Sequence, residues 1–157
     1  MTPEIKIAKI LIRKRETLSI AESCTGGLVA GRITSIPGAS RFFRLGLIVY
    51  SNEAKKKLLD ISPATLLSQG AVSCVVAEEM AQNIRKHYST DFGLGVTGIA
   101  GPSGGTKKKP VGLVYIAASS KGKVLSAKYT FKGTRQKIRT LAATEALRLL
   151  LKLILSS

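Results

Sequence analysis

In the first part of the chain, two segments have apolar residues at helical spacing, and one short apolar run lies between them. Residues 3–15 carry apolar side chains at intervals of three and four, which predicts an amphipathic helix. Leu18–Ala21 is a short apolar run that predicts a buried strand. A second helical pattern begins at Leu28 and ends near Ile36, because Pro37 follows directly. The pattern therefore predicts a helix, a strand and a helix in succession.

The middle of the chain repeats this alternation with shorter elements. Residues 42–50 predict a second strand, and residues 53–59 predict a short helix. Another short helix is predicted from Pro63 to Gly70, and a longer one over residues 74–88. A serine stands at or near the N-cap position of all three helices, where its hydroxyl can accept a backbone N–H.

The last third of the chain contains a strand, a glycine-rich loop, a hairpin and a helix. The strand is predicted over residues 91–97, and the loop follows over 98–109. Apolar and polar residues alternate over 111–119 and again over 123–131, which predicts a β-hairpin. The helical period then resumes over residues 134–155.

The order of these elements predicts the fold class. Helices lie before, between and after the strands, which is typical of a three-layer α/β/α sandwich around a mixed sheet. No internal repeat or low-complexity linker interrupts the sequence, so we predict a single domain over residues 1–157. Ligands in open α/β sheets bind beyond the carboxyl ends of strands. We therefore expect the turn at Ser23, the turn after Tyr50 and the loop over 97–106 to meet at one pocket.

The net charge of +16 is high for a chain of this length and is concentrated near the C-terminus. Residues 107–157 hold twelve Lys and Arg against one acidic residue. Such an excess could bind nucleic acid or another anionic surface. The basic residues are nevertheless scattered singly through apolar patterns, and the chain has eight aromatic residues and no Trp. This distribution favours a solvated lysine-rich surface over a nucleic-acid site.

The sequence also bears on location and on metal binding. No apolar run is long enough to span a membrane, and the N-terminus lacks a secretory pattern. Cys24 and Cys74 alone make neither a disulfide framework nor a metal cluster. We therefore predict a cytoplasmic protein without a membrane partner. The mostly apolar last helix could dock on a second subunit or close the core, so a homo-oligomer stays open.

A hydroxyl-rich turn follows the first predicted strand. Ser23, Cys24 and Thr25 are followed by Gly26 and Gly27, and a helix begins directly behind them. The N-terminus of a helix offers free N–H groups and a partial positive charge, so a phosphate or an oxyanion could sit there beside a serine nucleophile. The alternative is that the turn only caps the helix.

The carboxylate that precedes this turn has a different expected role. Adjacent residues of a strand point in opposite directions, so Glu22 is not expected to act together with Ser23. We expect the Glu22 carboxylate to bind backbone amides or a neighbouring basic group.

A nucleophilic Ser23 would need a nearby base to accept its proton. His87 is the only histidine and lies late on a predicted helix, where we expect it at the surface. A lysine can act as the base when burial or nearby charge lowers its pKa. Lys55 lies on the first turn of a helix, where the helix dipole disfavours the ammonium. The alternative is that Lys55, Lys56 and Lys57 form one solvated run.

Two further features could hold a substrate. The loop over 98–105 could cradle a phosphate or a ribose through its amides, although it lacks the Walker pattern. Arg135 and Arg139 lie one turn apart on the last helix and could hold a phosphate together. The alternatives are a flexible surface loop and ordinary surface charge.

Five motifs, taken together, resemble the CinA C-terminal domain family. They are Ala21–Gly27, Tyr50–Lys55, Gly70–Ser73, Gly98–Gly105 and Lys109–Gly112. The characterised enzymes of this family are nicotinamide-nucleotide amidohydrolases, which convert nicotinamide mononucleotide (NMN) to nicotinate mononucleotide and ammonia. The resemblance covers nearly the whole chain. It implies the stand-alone form of the domain, and it implies neither a metal nor an organic cofactor.

The resemblance also implies roles for individual residues. Ser23 would be the nucleophile of a Ser/Lys dyad, Lys55 its general base, and Tyr50 would orient the dyad or donate a hydrogen bond. Backbone amides of Thr25–Gly27 would stabilise the oxyanion. The substrate-binding residues expected from the three loops and the last helix are Thr25, Gly26, Gly27, Asn52, Thr97, Gly98, Gly101, Gly105, Arg135 and Arg139.

The sequence departs from the family pattern at a few positions. Cys74 and Ser103 stand where acidic residues are frequent, and Lys107 and Lys108 occupy a stretch that is often acidic. These departures bear on substrate affinity and identity, so the same dyad could act on another small amide. A non-catalytic nucleotide- or nucleic-acid-binding protein is the alternative from a different class.

Overall fold

The structure is a computed structural model that describes all 157 residues. The helices are α1 (Pro3–Lys14), α2 (Leu28–Thr34), α3 (Asn52–Leu59), α4 (Pro63–Gln69), α5 (Cys74–His87) and α6 (Arg135–Leu155). The strands are β1 (Leu18–Glu22), β2 (Phe43–Ile48), β3 (Phe92–Gly98), β4 (Leu113–Ser120) and β5 (Lys123–Thr130), and a single 3₁₀ turn covers Ala39–Arg41. None of the helices combines the length and the apolar character that crossing a membrane requires.

The five strands form one mixed sheet in the order β2-β1-β3-β4-β5. Strand β1 pairs in parallel with β2 on one side and with β3 on the other. Strand β4 runs antiparallel to β3, and β5 completes the predicted hairpin with β4. The carboxyl ends of β1, β2 and β3 therefore lie at the same edge of the sheet, as the parallel arrangement requires.

Helices cover both faces of this sheet, which confirms the predicted three-layer α/β/α class. Helix α5 packs on β1, β3 and β4 with α3 and α4 beside it, and α6 packs on the other face together with α1 and α2. The larger core cluster lies on the α6 side, and a smaller one joins α5 to the segment after β2. Strand β1 is buried on both faces, so its five residues show no alternation.

Close packing of α5 on β3 depends on two glycines of that strand. A Cβ atom at Gly95 would lie 2.5 Å from the carbonyl oxygen of Ala77, and one at Gly93 would overlap the carbonyl oxygen of Ala81. Because no side chain fills this space, the helix backbone rests almost directly on the sheet.

The predicted element boundaries hold within a few residues, with two informative differences. Helix α2 ends at Thr34, two residues before the predicted end. Strand β2 ends at Ile48, whereas the strand was predicted to continue to residue 50. The Val49 N–H still donates to the Glu22 carbonyl of β1 (2.8 Å), but the chain turns away after it, and the carbonyl oxygens of Val49 and Tyr50 face Lys55.

Candidate active site

A cavity of about 180 Å³ lies at the carboxyl edge of the parallel strands. Its lining comes from the turn after β1, the segment after β2, the segment before α5, the end of β3 with its loop, and the start of α6. The lining residues are Ser23, Cys24, Tyr50, Asn52, Lys55, Ala71, Val72, Thr97, Gly98, Ala100 and Arg135. The three loops expected to meet at one pocket therefore do so.

Glu22 determines the shape of the turn that carries Ser23. Its buried carboxylate accepts hydrogen bonds from the backbone N–H groups of Gly27 (3.0 Å), Val29 (3.2 Å) and Ala30 (2.8 Å). These are the N–H groups that the start of α2 leaves without helical partners. Gly27 occupies the N-cap position with φ of 99° and offers no side-chain cap. The expectation that Glu22 binds backbone amides is confirmed.

Because the Glu22 carboxylate accepts the free N–H groups at the start of α2, the hydroxyl of Ser23 does not cap this helix. The alternative reading of the Ser23–Thr25 turn as a simple helix cap is therefore wrong. Ser23 lies almost fully buried at the base of the cavity, and its Oγ atom receives a hydrogen bond from Lys55 Nζ at 3.1 Å. The two residues are far apart in sequence and meet because β1 and β2 are neighbours in the sheet.

The Lys55 side chain is enclosed by protein. Only 2% of the residue is exposed, and besides Ser23 Oγ its ammonium group contacts the carbonyl oxygens of Val49 (2.9 Å) and Tyr50 (3.4 Å). No carboxylate lies within ion-pair distance of it. Lys56 and Lys57 are exposed, whereas Lys55 is buried. The alternative that all three lysines form one solvated run is therefore wrong for Lys55.

Burial lowers the pKa of Lys55 below its ordinary value, because the charged ammonium loses water and gains no carboxylate. Nearby Cys24 acts in the opposite direction and is the smaller influence. The position of Lys55 at the start of a helix predicts that the helix dipole lowers its pKa. The direction is the same, but the cause is burial.

The remaining titratable candidates do not take the role of base or nucleophile. Burial raises the pKa of the Cys24 thiol to about 11, so it stays protonated near neutral pH. His87 is exposed, lies outside the cavity, and places its Nε2 atom 3.2 Å from a carboxylate oxygen of Asp60. The structure also contains no group of three or more His, Cys, Asp or Glu side chains that could hold a metal ion.

Tyr50 and Arg135 form the rim of the cavity. The Arg135 guanidinium donates to the hydroxyl of Tyr50 (3.1 Å) and to the carbonyl oxygen of Gly101 (2.8 Å). Tyr50 is 60% exposed, and only its backbone carbonyl contacts Lys55. The phenol is therefore at the entrance of the site, paired with a cation, and it makes no hydrogen bond to the Ser23–Lys55 pair.

Arg139 does not join Arg135 in the cavity, contrary to the expectation of a phosphate-binding pair. Its guanidinium donates to the carbonyl oxygens of Cys24 (3.1 Å) and Thr25 (3.0 Å). These bonds fasten the serine-bearing turn to α6. Arg139 is consequently held by two backbone carbonyls and by the side chain of Gln136 (3.5 Å), and it does not line the cavity.

The backbone N–H groups available for an oxyanion differ from those expected. The N–H of Gly26 donates to the Ser23 carbonyl at 3.1 Å, and that of Gly27 donates to Glu22. Both are therefore occupied, and the assignment of Gly26 and Gly27 as oxyanion donors is wrong. The N–H groups of Cys24 and Thr25 make no hydrogen bond within the protein. The Thr25 hydroxyl is also buried without a partner.

The glycine-rich loop is divided between the site and internal packing. Gly98 lines the cavity, whereas Gly101 and Gly105 do not. A Cβ atom at Gly105 would lie 2.7 Å from the backbone nitrogen of Val111, and one at Gly101 would overlap the Val111 side chain. These two glycines therefore allow the loop to fold against Val111, and they lie outside the cavity lining, contrary to the expectation for them.

The remaining expected residues do lie at the cavity, together with some that the sequence did not predict. Asn52 and Thr97 line it, and the Thr97 hydroxyl donates to the Ala71 carbonyl at 2.8 Å. Ala71 and Val72 form an apolar wall that was not predicted as part of the site. The only available signal was their place in the Gly70–Ser73 motif.

The fold and site define an α/β domain with a buried serine–lysine pair at the carboxyl edge of its sheet. The family model described as the CinA C-terminal domain matches residues 2–154. A relative from Thermoanaerobacter pseudethanolicus is 50% identical over 149 residues, which cover 95% of this chain and 36% of the relative. The CinA-like protein of Endomicrobium trichonymphae is 50% identical over 142 residues, covering 90% of this chain and 33% of that protein.

Solved structures agree with this assignment. The competence/damage inducible protein CihA from Agrobacterium tumefaciens is 38% identical, with a TM-score of 0.94 over 96% of this chain and 93% of that chain. A CinA superfamily protein from Escherichia coli is 33% identical, with a TM-score of 0.92 over 96% and 88%. The chain belongs to the CinA C-terminal domain family, and it spans about a third of the length of the curated relatives it matches.

Proposed function

We propose that this domain is a serine/lysine amidohydrolase that removes the amide nitrogen of nicotinamide mononucleotide. The observation that carries the proposal is the 3.1 Å contact between Ser23 Oγ and the buried Nζ of Lys55. A serine needs a base within hydrogen-bond distance to become a nucleophile, and a lysine is a base only when its pKa is lowered. Both conditions hold at this pair.

The surroundings of Lys55 also orient its lone pair. The Nζ atom has three acceptors around it, namely Ser23 Oγ and the carbonyl oxygens of Val49 and Tyr50. When the amine is neutral, its two protons can remain on the two carbonyls, and the lone pair then faces Ser23 Oγ. The neutral lysine is in this way prepared to take the hydroxyl proton.

The reaction then follows in two halves. Ser23 Oγ forms a bond to the carboxamide carbon while Lys55 accepts its proton, and the oxyanion is stabilised by the free N–H groups of Cys24 and Thr25. Lys55 returns the proton to the nitrogen as the C–N bond breaks, so ammonia leaves. Water activated by Lys55 then attacks the acyl-serine, which releases the carboxylic acid and restores the serine hydroxyl.

The size of the cavity suggests how the substrate would lie. At about 180 Å³ the cavity is smaller than the range of about 300–1,000 Å³ that encloses a drug-sized ligand. The carboxamide and its ring fit this volume between Ser23 and the wall of Ala71 and Val72. The ribose and phosphate would extend past Tyr50, where the exposed guanidinium of Arg135 offers a positive partner.

The test is ammonia release from NMN by the wild-type protein and by the Ser23→Ala and Lys55→Met variants. We expect both substitutions to lower kcat by at least about a thousandfold, because the dyad acts as a unit. Lys56→Met is the matched control, since Lys56 is the exposed neighbour of Lys55 and should retain activity. Melting curves of each variant would show that the loss is not unfolding. Full deamidase activity in the Ser23→Ala protein would refute the proposal.

A non-catalytic nucleic-acid-binding role is the second candidate, and the net charge of +16 favours it. The names of the relatives, such as the competence/damage inducible protein from Agrobacterium tumefaciens, are compatible with such a role. This hypothesis predicts binding to a DNA duplex that weakens steeply with salt and is unchanged in the Ser23→Ala variant. No measurable binding at low salt would exclude it.

A further inference from the structure

A second cavity, of about 340 Å³, lies between the C-terminal half of α5 and the turn that joins β4 to β5. Its lining includes Ser119, which pairs with Gly93 at the beginning of β3. The active cavity instead includes Thr97, four residues further along the same strand. At about 3.3 Å per residue the two cavities lie roughly 13 Å or more apart along the sheet. They share no lining residue.

Arg85 is the cation of this cavity that a buried side chain holds in place. Its Nε atom donates to the hydroxyl of Ser119 at 3.1 Å, and Ser119 is fully buried. Gly93 lets α5 approach the sheet closely, so the stem of Arg85 rests on β3. The two terminal nitrogens of the guanidinium have no acceptor within the protein. A guanidinium held at Nε keeps its terminal N–H groups in a fixed plane for an external anion.

The charges around Arg85 are of one sign within the cavity. Lys86 and Lys123 also line it, and no carboxylate does. Lys123 is tied to Ser156 by a 2.9 Å hydrogen bond, whereas Lys86 has no ion pair. Glu16 and Asp91 line the adjoining cavity on the other side of Arg85, but neither lies within ion-pair distance of it. The cavity is therefore lined by three cations and no carboxylate, with the buried Ser119 hydroxyl holding Arg85 from below.

We propose that this second cavity binds the phosphate group of a small molecule, with Arg85 as its principal ligand. Planar guanidinium groups bind phosphate oxygens in pairs, and the flanking Lys86 and Lys123 supply further donors. The volume exceeds that of the active cavity and falls within the range of small-ligand pockets. The concave shape favours a compact phosphate ester over the backbone of a nucleic acid, which would need an extended surface.

The experiment is calorimetric titration of the purified protein with pyrophosphate, and in a second arm with AMP, at about 150 mM salt. Arg85→Gln should weaken binding by about tenfold or more, because it removes a charged two-bond contact. Lys86→Gln, which removes an exposed side chain without protein partners, should weaken binding by about threefold. Ser119→Ala should also weaken it, although the charge is unchanged. AMP binding more tightly than pyrophosphate would show that the site takes a nucleotide.

Two control variants make the test specific. Arg44→Gln removes an exposed charge from β2, far from the cavity, and should leave binding unchanged. Arg135→Gln, at the rim of the active cavity, should also leave binding at the second site unchanged. The proposal is overturned if pyrophosphate and AMP do not bind at millimolar concentration, or if Arg44→Gln weakens binding as much as Arg85→Gln. It is equally overturned if Arg135→Gln is the only variant that weakens binding. The same holds if a DNA duplex binds the second cavity whereas pyrophosphate and AMP do not.

Discussion

The carboxylate of Glu22 lies 3.0 Å from the backbone nitrogen of Gly27, five residues along the chain, and closes the turn between them into a ring. The same carboxylate also accepts the N–H groups of Val29 and Ala30. Ser23 is one of the residues of this closed turn, and its hydroxyl is not needed to accept an N–H group of the helix. Its hydroxyl is consequently free to meet Lys55, so the carboxylate that appears inert in the sequence positions the proposed nucleophile.

Replacement of Glu22 by Gln should destabilise the protein although the shape of the side chain is kept. The amide would place an NH₂ group against backbone N–H donors, leaving at least one of them buried without an acceptor. We expect the free energy of unfolding to fall by about 2 kcal/mol. Urea denaturation would measure it. Glu53→Gln, on an exposed first-turn carboxylate of α3, is the control and should change stability by less than about 0.5 kcal/mol. Equal effects of the two substitutions would contradict this role of Glu22.

The activity of the domain should rise with pH, because the neutral form of Lys55 is the proposed base. Burial lowers the pKa of Lys55 below the ordinary lysine value of 10.5. At pH values below this lowered pKa, kcat/KM for NMN should rise by about tenfold for each pH unit. Above it, kcat/KM should level off. Steady-state rates between neutral and alkaline pH would trace this limb.

The matched variant for this pH profile is Lys55→Arg, which keeps a cation that does not lose its proton in this range. It should be inactive at every pH. A wild-type rate that falls as pH increases from neutrality, or an active Lys55→Arg protein, would show that Lys55 does not act as a base.

Much of the fold could be predicted from the sequence because local periodicity and global packing agree. Strand β1 is an apolar run covered on both faces, and α5 and α6 are long enough for their periods to be clear. The end of β2 was placed two residues too late, since Val49 and Tyr50 are apolar and aromatic. Their carbonyl oxygens turn to Lys55 instead of continuing the strand, which is a tertiary effect that local patterns do not contain.

The site was predictable at its centre and less so at its periphery. Ser23 stands in the turn after β1 and Lys55 on the first turns of α3, which follows β2, so the chemistry of both is visible locally. Arg135 and Arg139 share a helix face, but one turn of helix moves the second guanidinium by about 5–6 Å. That distance takes it from the cavity rim to the carbonyl of Cys24. The acceptors on a neighbouring loop decide the role of each arginine, and spacing within α6 does not reveal them.

The two arginines should therefore give different kinetic signatures. Arg135→Gln removes a cation from the cavity rim and should raise KM for NMN by about tenfold with little change in kcat. Arg139→Gln releases the carbonyls of Cys24 and Thr25, so the proposed nucleophile turn loosens and kcat should fall by about tenfold or more. Arg148→Gln, on the exposed side of α6, is the control and should match the wild type. If Arg139→Gln changed KM alone, Arg139 would be a substrate ligand after all.

Two Gly→Ala substitutions should have opposite effects on stability, although they add the same methyl group. At Gly95 the methyl would lie 2.5 Å from the Ala77 carbonyl and 2.8 Å from the Ala81 nitrogen, so α5 must move away from β3. Overpacking of this kind costs about 1–3 kcal/mol, and the backbone contacts here favour the upper end. At Gly31, inside α2, the methyl meets no atom within 4 Å. Alanine should there raise the free energy of unfolding by about 0.5–1 kcal/mol, because it restricts the unfolded chain.

Urea denaturation of both variants measures these effects, and the Gly31→Ala protein serves as the control for the Gly95→Ala protein. A shift of α5 would also move Ala71 and Val72, which precede it and form the wall of the active cavity. We therefore expect Gly95→Ala to lower activity as well as stability, whereas Gly31→Ala should leave activity intact. A Gly95→Ala protein as stable as the wild type would mean that the contact between α5 and β3 is not the constraint on this strand.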